Sequence, residues 1–330
     1  MTTGAVAGTL DGATLEKLVA AAVAAPSIHN TQPWRFRLDP ATTTVEVHAA
    51  ADRGLDRIDP TGRGLHVSAG AALFNLRAAV AHFGWEPVIR LLPRSADPGR
   101  LAAVRLAGPR GLGGRHEEAE LYDAVWRRHS SRVPFSGPPV PYAVRDEIVA
   151  AAAVEDTHLV FPGTQETARV LHLTSEAEWR GLADPARAAE SRAWVRDGSA
   201  SGVPTAALPA RDSSGRMPVR DFSAGVSASP RQPAAYEQRP TVAVLGTKDD
   251  GPADWLRAGQ GLERALLVAT AHGVRASLFS QAVEWPDLRW ALRDPREEYV
   301  HVQMVIRFGY GPEGPATPRR SVHDVLDTGG

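Results

Sequence analysis

The sequence predicts an α+β protein in which two related halves are fused in one chain. Three observations carry that expectation. Strand-like alternation and longer apolar helical runs are interspersed along the whole chain rather than segregated. Two helical patterns repeat at a constant spacing: Ala69-Gly70-x-x-Leu73 begins one and Ala258-Gly259-x-x-Leu262 the other, and they end at Gly84 and Gly273, an offset of 189 residues (259 − 70 and 273 − 84). A second pair, Leu18-Val19-Ala20-Ala21-Ala22 and Ile148-Val149-Ala150-Ala151-Ala152, repeats as well. Duplication of this kind means an intramolecular pseudo-dimer, each half covering the buried face of the other.

The first half, residues 1–112, opens with an alanine-rich helix over 15–25 that Pro26 stops. A polar loop over 27–33 leads to strands at 34–38 and 44–48. Residues 52–64 read as a loop rich in Arg, Asp and Gly. Residues 68–83 are apolar almost all round, as a helix buried on several sides must be. Strands follow at 87–92 and 102–106, and the glycine-rich 109–114 reads as a linker.

The second half, residues 113–330, begins with a helix over 117–128 and a proline-rich turn over 134–141. A helix over 142–154, a strand over 157–161 and a helix over 164–179 come next. Residues 181–240 are rich in Ser, Gly, Pro and Arg with weak periodicity. So long an irregular stretch inside a compact domain is usually functional, and a lid insertion over about 184–240 is expected. A strand at 241–246, a helix over 255–272 and strands at 276–279 and 301–308 complete the half.

Composition narrows the function. The net charge of −1 supplies no global positive field, so neither nucleic acid nor an anionic membrane surface is an expected partner. The absence of cysteine rules out disulfides, thiolate metal sites and cysteine nucleophiles, and suits a reducing compartment. Residues 1–12 lack the pattern of a signal peptide, and no run approaches the roughly 18 apolar residues of a membrane span. A cytoplasmic protein acting on a small molecule is expected.

Three segments carry candidate chemistry. Ala25-Pro26-Ser27-Ile28-His29-Asn30-Thr31-Gln32-Pro33-Trp34 places five hydrogen-bonding side chains between a helix and a strand. Turn formers explain some of them, but five in a row suit a loop wrapped around a polar ligand. Trp126-Arg127-Arg128-His129-Ser130-Ser131-Arg132-Val133-Pro134-Phe135 reads either as a basic helix end or as an anion site built from guanidinium forks and hydroxyls. Pro318-Arg319-Arg320-Ser321 offers another cation pair.

Other patterns favour structural readings. Gly309-Tyr310-Gly311-Pro312-Glu313-Gly314 has dinucleotide-fingerprint spacing, but no helix follows it and a turn is expected. His116-Glu117-Glu118-Ala119-Glu120 lacks a zinc helix's second histidine and reads as a solvated helix start. His82 and His272 read as structural histidines, and Trp285, Trp290 and Tyr299 as core or lid packing.

Taken in order, these segments resemble the nitroreductase-like FMN-binding family. Its Arg-His/Arg-Ser-x-Lys/Arg signature is matched by Arg128-His129-Ser130-Ser131-Arg132, and its Pro-Ser-x-x-Asn-x-Gln-Pro-Trp loop by residues 26–34. The signatures lie in different halves, and Glu155-Asp156-Thr157-His158 has lost the loop signature. The arrangement is similar to the Acg-type branch, in which two modules are fused and one of two pseudo-symmetric flavin sites survives. The resemblance implies a nitroreductase-like fold, two modules forming an intramolecular pseudo-dimer with a lid insertion.

It implies site roles as well. Arg128, Ser130 and Ser27 would hold the FMN phosphate, joined by Arg319 or Arg320, with His129 inside the same signature. Arg132 would stand near flavin N1 and O2, where a guanidinium about 4 Å away at an effective dielectric near 20 is worth roughly 4 kcal/mol. Pro26, Ile28 and Asn30 would line the cofactor, and Leu278, Phe279, Ser280 and Gln281 would lie beside the ring near N5 and O4. Many relatives carry Pro-x-Glu-Gly in that last place, and this sequence departs from it. No side-chain nucleophile or metal is required, because flavin N5 carries the chemistry. The implied activity is NAD(P)H-linked two-electron reduction of nitro, quinone or related electron-poor compounds. The alternative is an FMN store whose lid blocks the nicotinamide. The internal pseudo-two-fold removes the need for a homodimer, so a monomer is expected, with further dimerisation open.

Overall fold

A computed structural model describes residues 10–93, 97–108, 117–223, 232–293 and 300–327. Helix α1 (Gly12–Val23) starts at Asp11, whose carboxylate accepts the Thr14 N–H at 2.7 Å. Strands β1 (Trp34–Asp39) and β2 (Thr44–Ala49) form an antiparallel hairpin. Helix α2 (Arg63–His82), β3 (Glu86–Leu91) and β4 (Arg100–Ala107) complete the first half. The second half begins with the short α3 (Glu117–Glu120) and α4 (Tyr122–Arg127), then α5 (Tyr142–Ala153), β5 (His158–Val160), α6 (Thr164–Ala183) and α7 (Pro185–Ala193). It continues through β6 (Thr241–Thr247), α8 (Pro252–Ala271), β7 (Arg275–Phe279), α9 (Pro286–Ala291) and β8 (His301–Gly309). The chain closes with α10 (Val322–Val325) and β9 (Leu326–Asp327).

The strands make two sheets, ordered β3-β4-β2-β1-β9 and β5-β6-β8-β7. All their pairings are antiparallel except β1–β9. The helices lie in a row between them: α1 packs on α2, α2 on α8, and α8 on α5. Two main cores result, one joining α1, α2 and the first sheet, the other joining α5, α8 and the second. Every residue of α2 from Val67 to Ala81 is buried, as its all-round apolar pattern demands. Among the described residues, no helix is long and apolar enough to cross a membrane.

The two repeated helices meet at their repeated glycines. A Cβ on Gly70 would stand 2.2 Å from the Leu256 carbonyl oxygen, and one on Gly259 would stand 2.1 Å from the Val67 carbonyl oxygen. Val67 and Leu256 are themselves 189 apart (256 − 67). The contact is therefore reciprocal, the relation found across an isologous two-fold interface. Backbones this close leave no room for any side chain. Gly84 and Gly273, which end the same two helices, both take left-handed φ values of 92° and 72°.

Several expectations need correction. Helix α2 starts at Arg63, inside the expected loop, because the Asp59 carboxylate accepts the N–H groups of Gly64 and Leu65 at 2.9 and 2.8 Å. Helix α8 starts at Pro252, a favoured first-turn residue, before the first apolar position at Trp255. The expected helix over 117–128 is two short pieces. Asp184 ends α6 and caps α7 by accepting from Ala186 and Arg187, so the first part of the expected irregular stretch is helical. Small and charged residues alternate there without an apolar stripe, which hid it.

Trp290 is 71% exposed rather than packed, whereas Trp285 lies under the Arg187 guanidinium at 4.2 Å. Glu118 is no solvated helix start: it accepts from Arg77, which also holds the buried Glu155 carboxylate at 2.6 Å beside Arg264. His116, Tyr299 and the expected linker 109–114 lie outside the described residues.

The glycine crossing makes a graded prediction. Gly259→Ala should lower unfolding free energy by about 3 kcal/mol or more, since backbone must move to admit the methyl group. Gly273→Ala, with open space around it but φ of 72°, should cost only about 1–2 kcal/mol. Urea titrations followed by circular dichroism measure both; equal costs would contradict the crossing.

Candidate functional site

The polar loop after α1 departs from ordinary backbone geometry. His29, Asn30 and Gln32 have φ values of 48°, 54° and 52°, a left-handed region that side chains disfavour. Hydrogen bonds offset that strain. Ser27 Oγ accepts the Gln32 N–H at 2.9 Å, and the Ile28 N–H donates to Ser68 Oγ at 3.1 Å. The Asn30 amide donates to the carbonyls of Gly202 and Pro318 at 2.8 and 3.0 Å and accepts from Arg319 at 3.0 Å. Gln32 donates to Ala200 and accepts the Arg320 N–H. Asn30 and Gln32 therefore tie the loop to the 194–223 segment and the C-terminal tail. Pro26, Ser27, Ile28 and His29 remain to line a cavity.

That cavity, counted with the open space at its mouth, encloses about 940 Å³. The 128–132 segment runs alongside β7: Ser130 bridges to Ala276, and the Ser131 N–H donates to the Ala276 carbonyl at 2.7 Å. This pairing carries Ser130, Ser131 and Arg132 to the cavity wall. The Arg132 residue keeps some exposure, but its guanidinium is buried, Nη1 lacks a hydrogen-bond partner, and burial pushes its pKa down to about 10. The end of β7 and the turn after it supply Leu278, Phe279, Ser280 and Gln281 to the same wall. Gln281 also donates to the Pro218 carbonyl at 3.0 Å.

Arg128 and Arg319 lie beside the cavity rather than in its lining. Both donate to the Ala24 carbonyl, at 2.9 and 3.1 Å, so two guanidiniums converge where α1 ends. One buried carboxylate, Glu263, stands 3.2 Å from Arg128, leaving this trio with one surplus positive charge. Burial and then Arg128 push the Arg319 pKa down to about 9, whereas burial raises that of Glu263 against the pull of Arg128. Of the terminal pair, Arg319 faces this cluster. Arg320 donates instead to the Asp324 carbonyl at the surface. His129 is exposed and does not line the cavity.

Sequence reasoning missed Arg63, Ser68, Arg220, Phe222 and Glu263, and it placed His29 in a ligand loop without giving it a role of its own. Arg63 and Ser68 belong to turns of α2 that read as loop or as plain apolar helix. Arg220 and Phe222 lie in the aperiodic segment, which closes over the cavity. Phe222 meets His29 edge-on at 5.2 Å, and the Arg132 guanidinium stands 5.7 Å from its ring. The Tyr236 hydroxyl lies 3.1 Å from the carbonyls of both Arg132 and Ala210 and has one proton to share between them. Glu263 left one signal, an acid at an otherwise apolar helix position. Among the described residues the cavity is lined by Arg63, Arg132, Arg220 and His29 and by no carboxylate, which suits an anionic or oxygen-rich ligand. No acid–histidine group suited to a metal occurs among them.

No profile of an established protein family matches the chain. Known relatives do. Over 323 residues it is 31% identical to a Mycobacterium tuberculosis (strain H37Rv) protein named "Putative NAD(P)H nitroreductase Rv3131", spanning 96% of this chain and 92% of that protein. It is 28% identical over 318 residues to "Putative NAD(P)H nitroreductase acg" of the same strain, spanning 94% and 95%. Among solved structures, the FMN-dependent nitroreductase NfnB from Mycobacterium smegmatis, in complex with NADPH, aligns with a TM-score of 0.40 at 18% identity. That alignment spans 64% of this chain and 99% of NfnB.

The covering segment is pinned by a turn at Asp212. Burial works to raise that carboxyl's pKa. The Ser214 hydroxyl and the N–H groups of Met217, Ser214 and Arg216 outweigh it and hold the value at about 2. A pKa below the ordinary 3.8 means stability present above that pH and lost as pH falls towards 2. Asp212→Asn at pH 7 should cost the segment on the order of 1–2 kcal/mol after allowing for partial exposure. Trypsin should then cut at Arg211 or Arg216 about tenfold faster, whereas an unchanged rate would show that the turn does not pin the segment.

Proposed function

The chain belongs to the NAD(P)H nitroreductase family, and from that premise we propose that it is an FMN-dependent oxidoreductase. Its reaction is the two-electron reduction of small electron-poor compounds of the nitro or quinone type, with NAD(P)H as co-substrate. The observation that carries this reading is the buried, incompletely partnered guanidinium of Arg132 on an acid-free cavity wall. An unpaired buried cation is costly, and an anionic ligand relieves that cost. Arg128 and Arg319 repeat the pattern beside it, with Nε of Arg319 also buried and unpartnered.

The residues present fit FMN. On this reading Ser27, Ser130, Arg128 and Arg319 hold its phosphate, and Arg132 stabilises negative charge on the ring system. Pro26, Ile28, Leu278 and Phe279 supply apolar walls, while Ser280 offers a hydroxyl. Arg320 is left out, because it donates to the Asp324 carbonyl and its charged neighbours are Arg35, Asp52 and Asp324 rather than the Arg128–Arg319 cluster. Bound FMN supplies the site for hydride acceptance and donation. The chain's own part is to bind, orient and exclude water, and the 194–223 segment acts as the lid.

The reciprocal contact of Gly70 and Gly259 supports a further element of the reading. The chain is a fused pseudo-dimer whose two modules share one flavin site. A monomer suffices for that arrangement.

The hydrogen bonds that the Asn30, Gln32 and Gln281 amides donate to lid carbonyls favour a second reading, an FMN store that nicotinamide cannot reach. Anaerobic mixing with NADPH and NADH separates the two. Flavin bleaching within seconds supports the reductase; a flavin reduced by dithionite but inert to both nucleotides supports the store. Arg319→Ala should purify largely colourless and Arg320→Ala fully yellow, with unchanged circular dichroism. The reverse pattern would overturn the phosphate assignment.

A further inference from the structure

His29 belongs to the polar loop expected to wrap a ligand, but the sequence gives it no role of its own. It is 5% exposed, sits at φ 48°, and lies between the loop after α1 and the segment that covers the cavity. Backbone strain of this kind persists where surrounding structure over-determines a side chain's position, and such places cluster at functional sites.

Its ring chemistry is constrained from one side. Nε2 stands 3.2 Å from Nη1 of Arg220. A guanidinium only donates, so Nε2 must accept, and a neutral imidazole that accepts at Nε2 carries its proton on Nδ1. Burial first, then the charges of Arg220 and Arg132, hold the ring well below the ordinary histidine range, so it is neutral at pH 7. Arg220 is itself anchored. It donates to Ser280 Oγ at 3.3 Å and to the buried Glu284 carboxylate, which also accepts from Ser280 at 2.9 Å. The order Glu284–Arg220–His29 fixes the tautomer much as a carboxylate fixes a metal-bound histidine. Nδ1 then carries an N–H that has neither solvent nor a hydrogen-bond partner among the described residues, on a residue of the cavity lining. An unmet buried donor is costly unless a ligand meets it.

We propose that His29, oriented by Arg220, is the hydrogen-bond donor that receives an oxygen of the planar, electron-poor ligand of this cavity. The ligand class is a ring bearing a nitro, quinone or phenolate oxygen, which the acid-free lining of Arg63, Arg132 and Arg220 also favours. Naming that ring rests on the functional reading above; the donor itself does not. Because Arg220 belongs to the covering segment and His29 to the loop after α1, the donor is set only while the segment lies over the cavity. The segment then completes a recognition site as well as closing it.

Two readouts test this. In protein labelled with ¹⁵N-histidine, long-range proton–nitrogen spectra, assigned by comparison with His29→Phe, should show His29 as the Nδ1–H tautomer. Arg220→Met should shift it towards Nε2–H. Equilibrium dialysis against 4-nitrophenolate, and separately against FMN, gives the second readout. His29→Phe, or Arg220→Met if the first variant does not fold, should weaken 4-nitrophenolate binding about tenfold. If FMN binding weakens instead, the acceptor oxygen belongs to the flavin, which still supports the donor. An Nε2–H tautomer in the wild type, or both affinities within twofold in the variant, would overturn the proposal. A wild-type protein that binds 4-nitrophenolate through His29 but takes no FMN would sink the flavin reading and leave this one standing.

Discussion

The structure depends on two helices crossing backbone to backbone. Helices α2 and α8 approach so closely at Gly70 and Gly259 that each position excludes even a methyl group. That approach sets the distance between the two sheets that flank the helical row. It also sets the cavity, because the first turns of α2 provide Arg63, Gly64, Val67 and Ser68 to its wall while α8 provides Leu262. A looser crossing would move both walls apart. Packing in the middle of the molecule thus decides the shape of a site near its surface.

Charge balance distinguishes two comparable places in the fold. At the end of α5, Arg77 and Arg264 are met by Glu155, Glu118 and Glu117, so the cluster is neutralised from within. At the end of α1, Arg128 and Arg319 both donate to the Ala24 carbonyl, and among the described residues one carboxylate, Glu263, stands against the pair, 3.2 Å from Arg128. Helices α1 and α5 are the second repeated pair in the sequence. On the pseudo-dimer reading, the same helix end is closed by acids in one module and left electropositive in the other. The electropositive one borders the cavity, where Arg132 adds a further buried cation.

Much of this was legible in the residues. The glycine repeat read along the chain is the crossing itself, because neither Gly70 nor Gly259 admits a Cβ there. The Pro-Ser loop and the Arg-His-Ser segment, about a hundred residues apart, do reach one cavity through Ser27, Ser130 and Arg132. The roles of Asn30 and Gln281 were less legible. Sequence cannot say that their amides are taken up by the carbonyls of Gly202 and Pro218, since those partners lie in an aperiodic segment. Arg220 and Phe222 were missed, and the role of His29 was not legible, for the same reason: their meaning comes from how that segment folds back, and no periodicity encodes it. The two-residue β9, which adds the tail to the first sheet, is too short for any pattern to reveal.

The central claim is that one electropositive cavity between the modules takes a single mononucleotide and holds it largely by its phosphate. Equilibrium dialysis of the flavin-free protein against FMN and riboflavin tests this directly. The account predicts one FMN per chain and riboflavin binding weaker by at least about a hundredfold, as the loss of two charge-assisted hydrogen bonds implies. Equal affinity for the two flavins, or two FMN per chain, would contradict it.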